Sequence, residues 1–252
     1  MNHFYVFHMK KIKLVLLLIT MTFIIALFIA LSPTRLISMF QTDEQVALTK
    51  GNTNENDIAL TFNISWGEEK VYDILKVLNE HKVRATFFVS GEWAERHPQI
   101  MEEISEAGHE VGMLGYRYKN YLDQDLEQIR KDMTYAREVF NKLGYRDIKY
   151  IRSPSGFFNE EVKEIAERLE LETIHWSINP RDWENPGVKE IANLVIEEAS
   201  GGDIVLLHAS DSAKQTAEAL DEVLPTLQKQ DFSFVTISEL MNDVKAEEKL
   251  VE

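Results

Sequence analysis

Residues 58–67 read IALTFNISWG. Ile58, Leu60 and Phe62 alternate with smaller or polar residues, the pattern of a buried β-strand. The run then leaves the strand through Asn63, Ile64, Ser65, Trp66 and Gly67. Working outward, strand-like runs return at 84–90 (RATFFVS), 109–114 (HEVGML), 149–154 (KYIRSP), 172–178 (ETIHWSI), 203–208 (DIVLLH) and 232–237 (FSFVTI). Helical periodicity fills the gaps, over about 68–81, up to Ala107, 123–143, 159–169, 188–200 and 213–230, with one more helix after the last strand. Ser65 and Glu68 have the spacing of a capping box for the first of these helices. Seven strands alternating with helices predict one α/β domain with a parallel sheet, either a barrel or an open doubly wound sheet. In a barrel of this kind the chemistry sits where the strands exit. No glycine-rich phosphate-binding motif follows any strand.

Composition narrows the function. The 252 residues are 44% hydrophobic and 27% charged, as in ordinary globular proteins. The absence of cysteine excludes disulfides, thiolate metal sites and cysteine nucleophiles. The net charge is −15, and the first 40 residues hold only basic groups (Lys10, Lys11, Lys13, Arg35), so the acidic excess lies entirely in the rest. Such a surface does not suit nucleic acid. Residues 14–31 (LVLLLITMTFIIALFIAL) form an uncharged apolar run of about the length that crosses a bilayer. The lysines before it put residues 1–13 in the cytoplasm. A cleaved signal peptide is the alternative, but the run is long for one and Pro33 follows the candidate cleavage site. The expected organisation is a single-pass anchor at 14–31, a linker at 32–57 with a short strand near Gln45 to Leu48, an extracytoplasmic domain at 58–241 and a charged tail at 242–252.

Taken together, TFNISWG, WAERHP, RSPSG, HWS and GGDIVLLHASDS resemble the polysaccharide deacetylase family, the NodB homology domain, in the same order over residues 58 to about 241. The likeness is closest to its sporulation-associated, PdaB-type subgroup. The resemblance implies an irregular (β/α)7-8 barrel. It also implies hydrolysis of acetyl groups from N-acetylated sugars by a divalent metal, usually zinc, held by one aspartate and two histidines. By the same resemblance Asn63 stands at the position of the general base, and Ile64, Leu114 and Tyr118 stand at the metal positions. An amide cannot take a proton as a base, and hydrocarbon side chains offer zinc no donor. No metal cofactor is therefore expected. Arg152, Asp182 and His208 match the arginine that positions the base, the aspartate that orients the acid, and the acid itself. Asp182 beside His208 would fix the tautomer of the imidazole.

Trp66, Tyr116 and Trp183 are candidates for stacking on sugar rings, with Trp93 and Tyr118 also near strand exits. On local chemistry alone Asp182 serves equally as a turn residue, and Arg152 as the partner of a surface acid. His109 and His175 read as structural histidines. A metal site from His175, His208 and Asp182 has no supporting spacing. A serine hydrolase built on Ser155 or Ser210 lacks a nucleophile elbow, and nothing singles out Asp182 and Asp211 as a glycosidase pair. Two functions follow. One is a membrane-tethered deacetylase-like protein, catalytically impaired, that binds cell-wall or spore-envelope glycan or an envelope protein. The other is an active N-deacetylase of peptidoglycan or a chitin-like polymer with an unorthodox site on His208 and Asp182.

Overall fold

The computed structural model describes residues 20–22, 47–51 and 56–242. The chain divides into two units, Met1–Gln45 and Val46–Glu252. Of the first, only residues 20–22 are described, and they are helical. The expected anchor at 14–31 otherwise lies outside the described residues, as does the charged tail beyond 242. No helix among the described residues is long and apolar enough to cross a membrane.

In the second unit the chain runs β1 (Asp57–Ile64), α1 (Lys70–Glu80), β2 (Thr86–Val89), α2 (Gly91–Arg96), α3 (Pro98–Glu106), β3 (Glu110–Met113), α4 (Leu126–Lys142), β4 (Tyr150–Ile151), α5 (Glu160–Arg168), β5 (Glu172–Thr173), α6 (Val188–Glu198), β6 (Ile204–His208), α7 (Thr216–Lys229) and β7 (Ser233–Val235). Residues 237–242 begin a last helix. The strands form one parallel sheet in the order β5-β4-β3-β2-β1-β6. β1 is its axis. It pairs β2 through Thr61 to Ile64, β6 through Ala59 to Asn63, and β7 through Asp57 to Ala59.

All eight residues of β1 are buried, as a strand covered on both faces requires. Ile58, Leu60, Phe62 and Ile64 face the helices, where the Phe62 and Phe87 rings stack at 5.0 Å. Each such side chain contributes on the order of 2 kcal/mol by burial. The alternate residues face the concave side. There a smaller cluster of Ala59, Phe88, Leu114, Tyr150, Ile174 and Ile204 is closed off by Ile237, Leu240 and Met241 of the last helix. A polar plug lies beside it. Glu110 accepts from Thr86 Oγ1 at 2.8 Å and from the Ser238 amide at 3.1 Å, and Ser238 Oγ also donates to it.

The sheet curls into a half-barrel rather than a closed barrel. At its seam, between β5 and β6, there is no regular ladder among the described residues, only an isolated parallel bridge from Ile178 to Val205. Some of the expected linker spans this seam. Leu48 makes a parallel bridge to Ile174, and Lys50 makes an antiparallel one to Asp203. A Lys50–Asp203 ion pair at 2.8 Å and a Gly51 N–H to Gly202 carbonyl bond at 2.7 Å fasten it. The compact unit therefore begins near Val46, ahead of Ile58.

The capping box expected at Ser65 and Glu68 does not form. α1 starts later, and its first amides point at Asp211 from the loop after β6. Asp211 Oδ1 accepts from the Glu69 and Lys70 amides, each at 2.9 Å, and Oδ2 accepts from the Glu68 amide at 3.2 Å. A carboxylate there meets both the orphan amides and the positive end of the helix dipole. Asp211→Ala should cost about 1–2 kcal/mol, measured by urea denaturation; an unchanged midpoint would show that the cap contributes nothing.

His109 holds the entrance to β2. Its Nδ1 accepts from the Ala85 amide at 3.2 Å, and its Nε2 meets no partner among the described residues. Burial, helped by the charge of Arg84, lowers its pKa from 6.5 to about 4. In the unfolded chain the ring takes a proton below about 6.5, so stability from the neutral ring is fully present above that pH. It is lost as the pH falls toward 4, by at most about 3 kcal/mol. His109→Asn keeps an acceptor in this place without the titration. Between pH 6.5 and 4 the variant should lose less stability than the parent, read from parallel thermal melts; equal losses would refute the assignment.

Candidate active site

The strand exits open into a cleft of about 800 Å³. Asn63 ends β1 and His208 ends β6, and the two are register neighbours. Asp182 lies in a one-turn 3-10 helix, Asp182–Glu184, set between two residues with left-handed backbone, Arg181 (φ 56°) and Asn185 (φ 53°). This bend drives Asp182 inward until it is fully buried. Its Oδ1 accepts from His208 Nδ1 at 2.8 Å. Its Oδ2 accepts from the His208 amide and from Thr216 Oγ1, each at 2.7 Å. One carboxylate thus ties the turn to β6 and to the start of α7. A carboxylate can only accept, so Nδ1 carries the proton and Nε2 is left for the cleft. Trp183 packs edge-on to the imidazole at 4.9 Å. The sequence-based expectation of an Asp182–His208 pair is met.

Arg152 leaves β4 and turns into the concave side, fully buried. Its guanidinium lies over Phe88 at 4.1 Å and near Trp176 at 5.5 Å. It donates to Asn63 Oδ1 at 3.0 Å, the His175 carbonyl at 2.9 Å and the Ile174 carbonyl at 3.4 Å. All these acceptors are neutral. Among the described residues no carboxylate pairs with this cation, which corrects the reading of Arg152 as the partner of a surface acid. Burial pulls its pKa down from 12.5 to about 9, against the opposing influence of Tyr118. It remains a cation at neutral pH.

The positions that the resemblance assigns to a metal do not converge. Ile64 is fully buried on the helix-facing side of β1, and Leu114 is fully buried in the concave cluster. Neither lines the cleft. Tyr118 does line it. Its phenol is raised above the ordinary value by burial, against hydrogen bonding to Ser155 and the charge of Arg152. No group of three His, Cys, Asp or Glu side chains among the described residues could hold a metal ion. The donor set therefore does not fit the divalent metal that the family resemblance implies.

Of the expected stacking residues, Trp66 and Trp183 line the cleft, and Trp66 is 54% exposed. Tyr116 does not. It lies in a separate surface hollow, packed on Tyr135 at 4.4 Å with its amide bonded to Asp132. Trp93 is buried in the core, where its Nε1 donates to the Gly67 carbonyl. His175 is a cleft residue rather than a core histidine, stacked on Trp176 at 3.7 Å. β5 ends at Thr173, two residues before it, so strand alternation no longer governs its direction.

Trp176 and Phe157 complete the aromatic wall and were not singled out in the sequence. A signal existed in Gly156. A Cβ there would sit 2.3 Å from the Trp176 ring, and its φ is 77°. Ser155 and Ser210 also line the cleft, but no hydrogen bond among the described residues joins either to His208. Asp211 is engaged at α1. The serine-hydrolase and two-carboxylate arrangements are thus not assembled.

A polysaccharide deacetylase family model matches residues 50–174. A peptidoglycan-N-acetylglucosamine deacetylase of Bacillus cereus is 35% identical over 191 residues, covering 75% of this chain and 89% of the relative. The chain belongs to the polysaccharide deacetylase family. The peptidoglycan-N-acetylmuramic acid deacetylase PdaA of Bacillus subtilis is 33% identical, covering 76% of this chain and 73% of PdaA. Among solved structures, a CE4 family pseudoenzyme from Bacillus anthracis superposes with a TM-score of 0.73 at 30% identity, covering 78% of this chain and 69% of that one. A mutant of that pseudoenzyme, described as having restored enzymatic activity, gives 0.74. The family resemblance read from the motifs is therefore correct.

After equilibration with zinc and dialysis, the full chain should retain less than a stoichiometric amount by elemental analysis. Ile64→Asp should not change that, and should cost several kcal/mol by placing a carboxylate in the core. One zinc per chain in either protein would show that the donor set has been misjudged.

Proposed function

We propose that this chain is a catalytically impaired polysaccharide deacetylase that works by binding cell-wall or spore-envelope glycan. In this reading it is tethered to the membrane by residues 14–31, with its domain outside the cytoplasm. The observation that carries the proposal is the pairing of a retained cleft with lost donors. Trp66, Phe157, Trp176 and Trp183 offer flat apolar faces of the kind that stack on sugar rings. The base position is an amide, and two of the three metal positions are hydrocarbon packed in the interior. The names of the relatives support peptidoglycan as the polymer.

A second reading rests on the intact Asp182–His208 pair. In it the chain hydrolyses an N-acetyl group without metal. With Nδ1–H donated to Asp182, the free Nε2 of His208 would take a proton from the attacking water and pass it to the leaving amine. The attack would then lack an electrophile to polarise the carbonyl.

Acetate release from N-acetylated peptidoglycan fragments separates the two readings. The full chain should bind the fragments and release no acetate above a protein-free control, with or without chelator. Release that His208→Ala abolishes would establish the second reading. Release that a chelator abolishes would overturn both.

A further inference from the structure

The chain is acidic overall, yet none of the described residues that line the cleft is an aspartate or glutamate. Three acids lie close by, and all are engaged: Asp182 with His208, Glu184 with Arg181, and Asp211 with the first amides of α1. Behind the lining sits the Arg152 cation, hydrogen-bonded only to neutral oxygens. The one side chain between this charge and the cleft that it bonds is Asn63, 4% exposed and itself a member of the lining. Because Asn63 Oδ1 is taken by Arg152, its Nδ2 donors are turned away from the guanidinium. They meet no hydrogen-bond partner among the described residues. A buried charge without a counterion is costly. An anion in the cleft would relieve that cost and give the Asn63 Nδ2 donors an acceptor.

We propose that the cleft selects a glycan bearing a carboxylate, which accepts from Asn63 Nδ2 and lies within the field of the Arg152 guanidinium. This rests on the glycan-binding reading above and adds the class of sugar to it. Neutral amino sugars satisfy the aromatic wall but leave the charge uncompensated. The side chain at position 63 is then the discriminating element. An amide there passes the arginine's charge on to the ligand, whereas a carboxylate would consume it.

The tryptophans of the wall supply the probe. Fluorescence titrations of the full chain would compare three disaccharides: N-acetylglucosaminyl-N-acetylmuramic acid, its methyl ester and chitobiose. The free acid should bind at least about tenfold more tightly than the ester or chitobiose, a gap that narrows as salt rises. Asn63→Asp should bring the three ligands to parity. Equal affinity for the acid and its ester in the parent protein would overturn the inference while leaving glycan binding intact. That comparison does not depend on the variant folding. Retained discrimination in folded Asn63→Asp would also overturn it. If none of the three ligands binds, the glycan-binding reading fails, and the inference with it.

Discussion

A strand with neighbours on both edges and cover on both faces has no place for a functional group except at its end. β1 is such a strand. Its backbone is committed to β2, β6 and β7, and its side chains are buried throughout. Every strand beside it runs parallel, so all their exits fall on one rim. The location of the cleft follows from this constraint. So does its content, because the rim residues of β1 and β6, Asn63 and His208, are held side by side by the sheet register.

Two buried charged groups organise the rim, and they do so differently. Asp182 is fully satisfied by three donors and acts as a rivet between a strained turn, a strand and a helix. Arg152 is satisfied in hydrogen bonds but not in charge. The aspartate holds the His208 imidazole in one tautomer with Nε2 left for the cleft. The arginine meets an amide, not a carboxylate, at position 63.

Much of this was legible in the sequence, because the determinants are local. Alternation in IALTF, the apolar run of DIVLLH and the helical periodicity between them located most strands and helices to within a few residues, though the run at 172–178 pairs only at Glu172 and Thr173 and the helix expected up to Ala107 is two. The Asp182–His208 pair was legible through the family motifs alone. What was not legible depends on residues distant in the chain. Ser65 and Glu68 have good capping chemistry, but Asp211, more than 140 residues later, reaches the same amides first. His175 read as a strand residue because the run ETIHWSI continues apolar past the point where pairing stops at Thr173. Tyr116 stood at a strand exit in sequence but turns to Tyr135 on α4. The half-barrel seam is invisible in any local pattern, since it is made by a polar stretch that looks like linker.

That seam has a mechanical consequence. Residues 47–51 are the first of the compact unit to be held, through Leu48 to Ile174 and through Lys50 and Gly51 to residues 202–203. Tension applied through the preceding chain would load these few bonds before it reached the ladder of β1. They would break in succession, as a zip opens, rather than together in shear. With these bonds gone, that side of the wall would be held to β6 only through Ile178 and Val205, while the central strands stayed paired. The edge that yields first is the one next to Ile174 and the residues leading to Trp176, so a pull from this side would be felt at the aromatic face of the cleft.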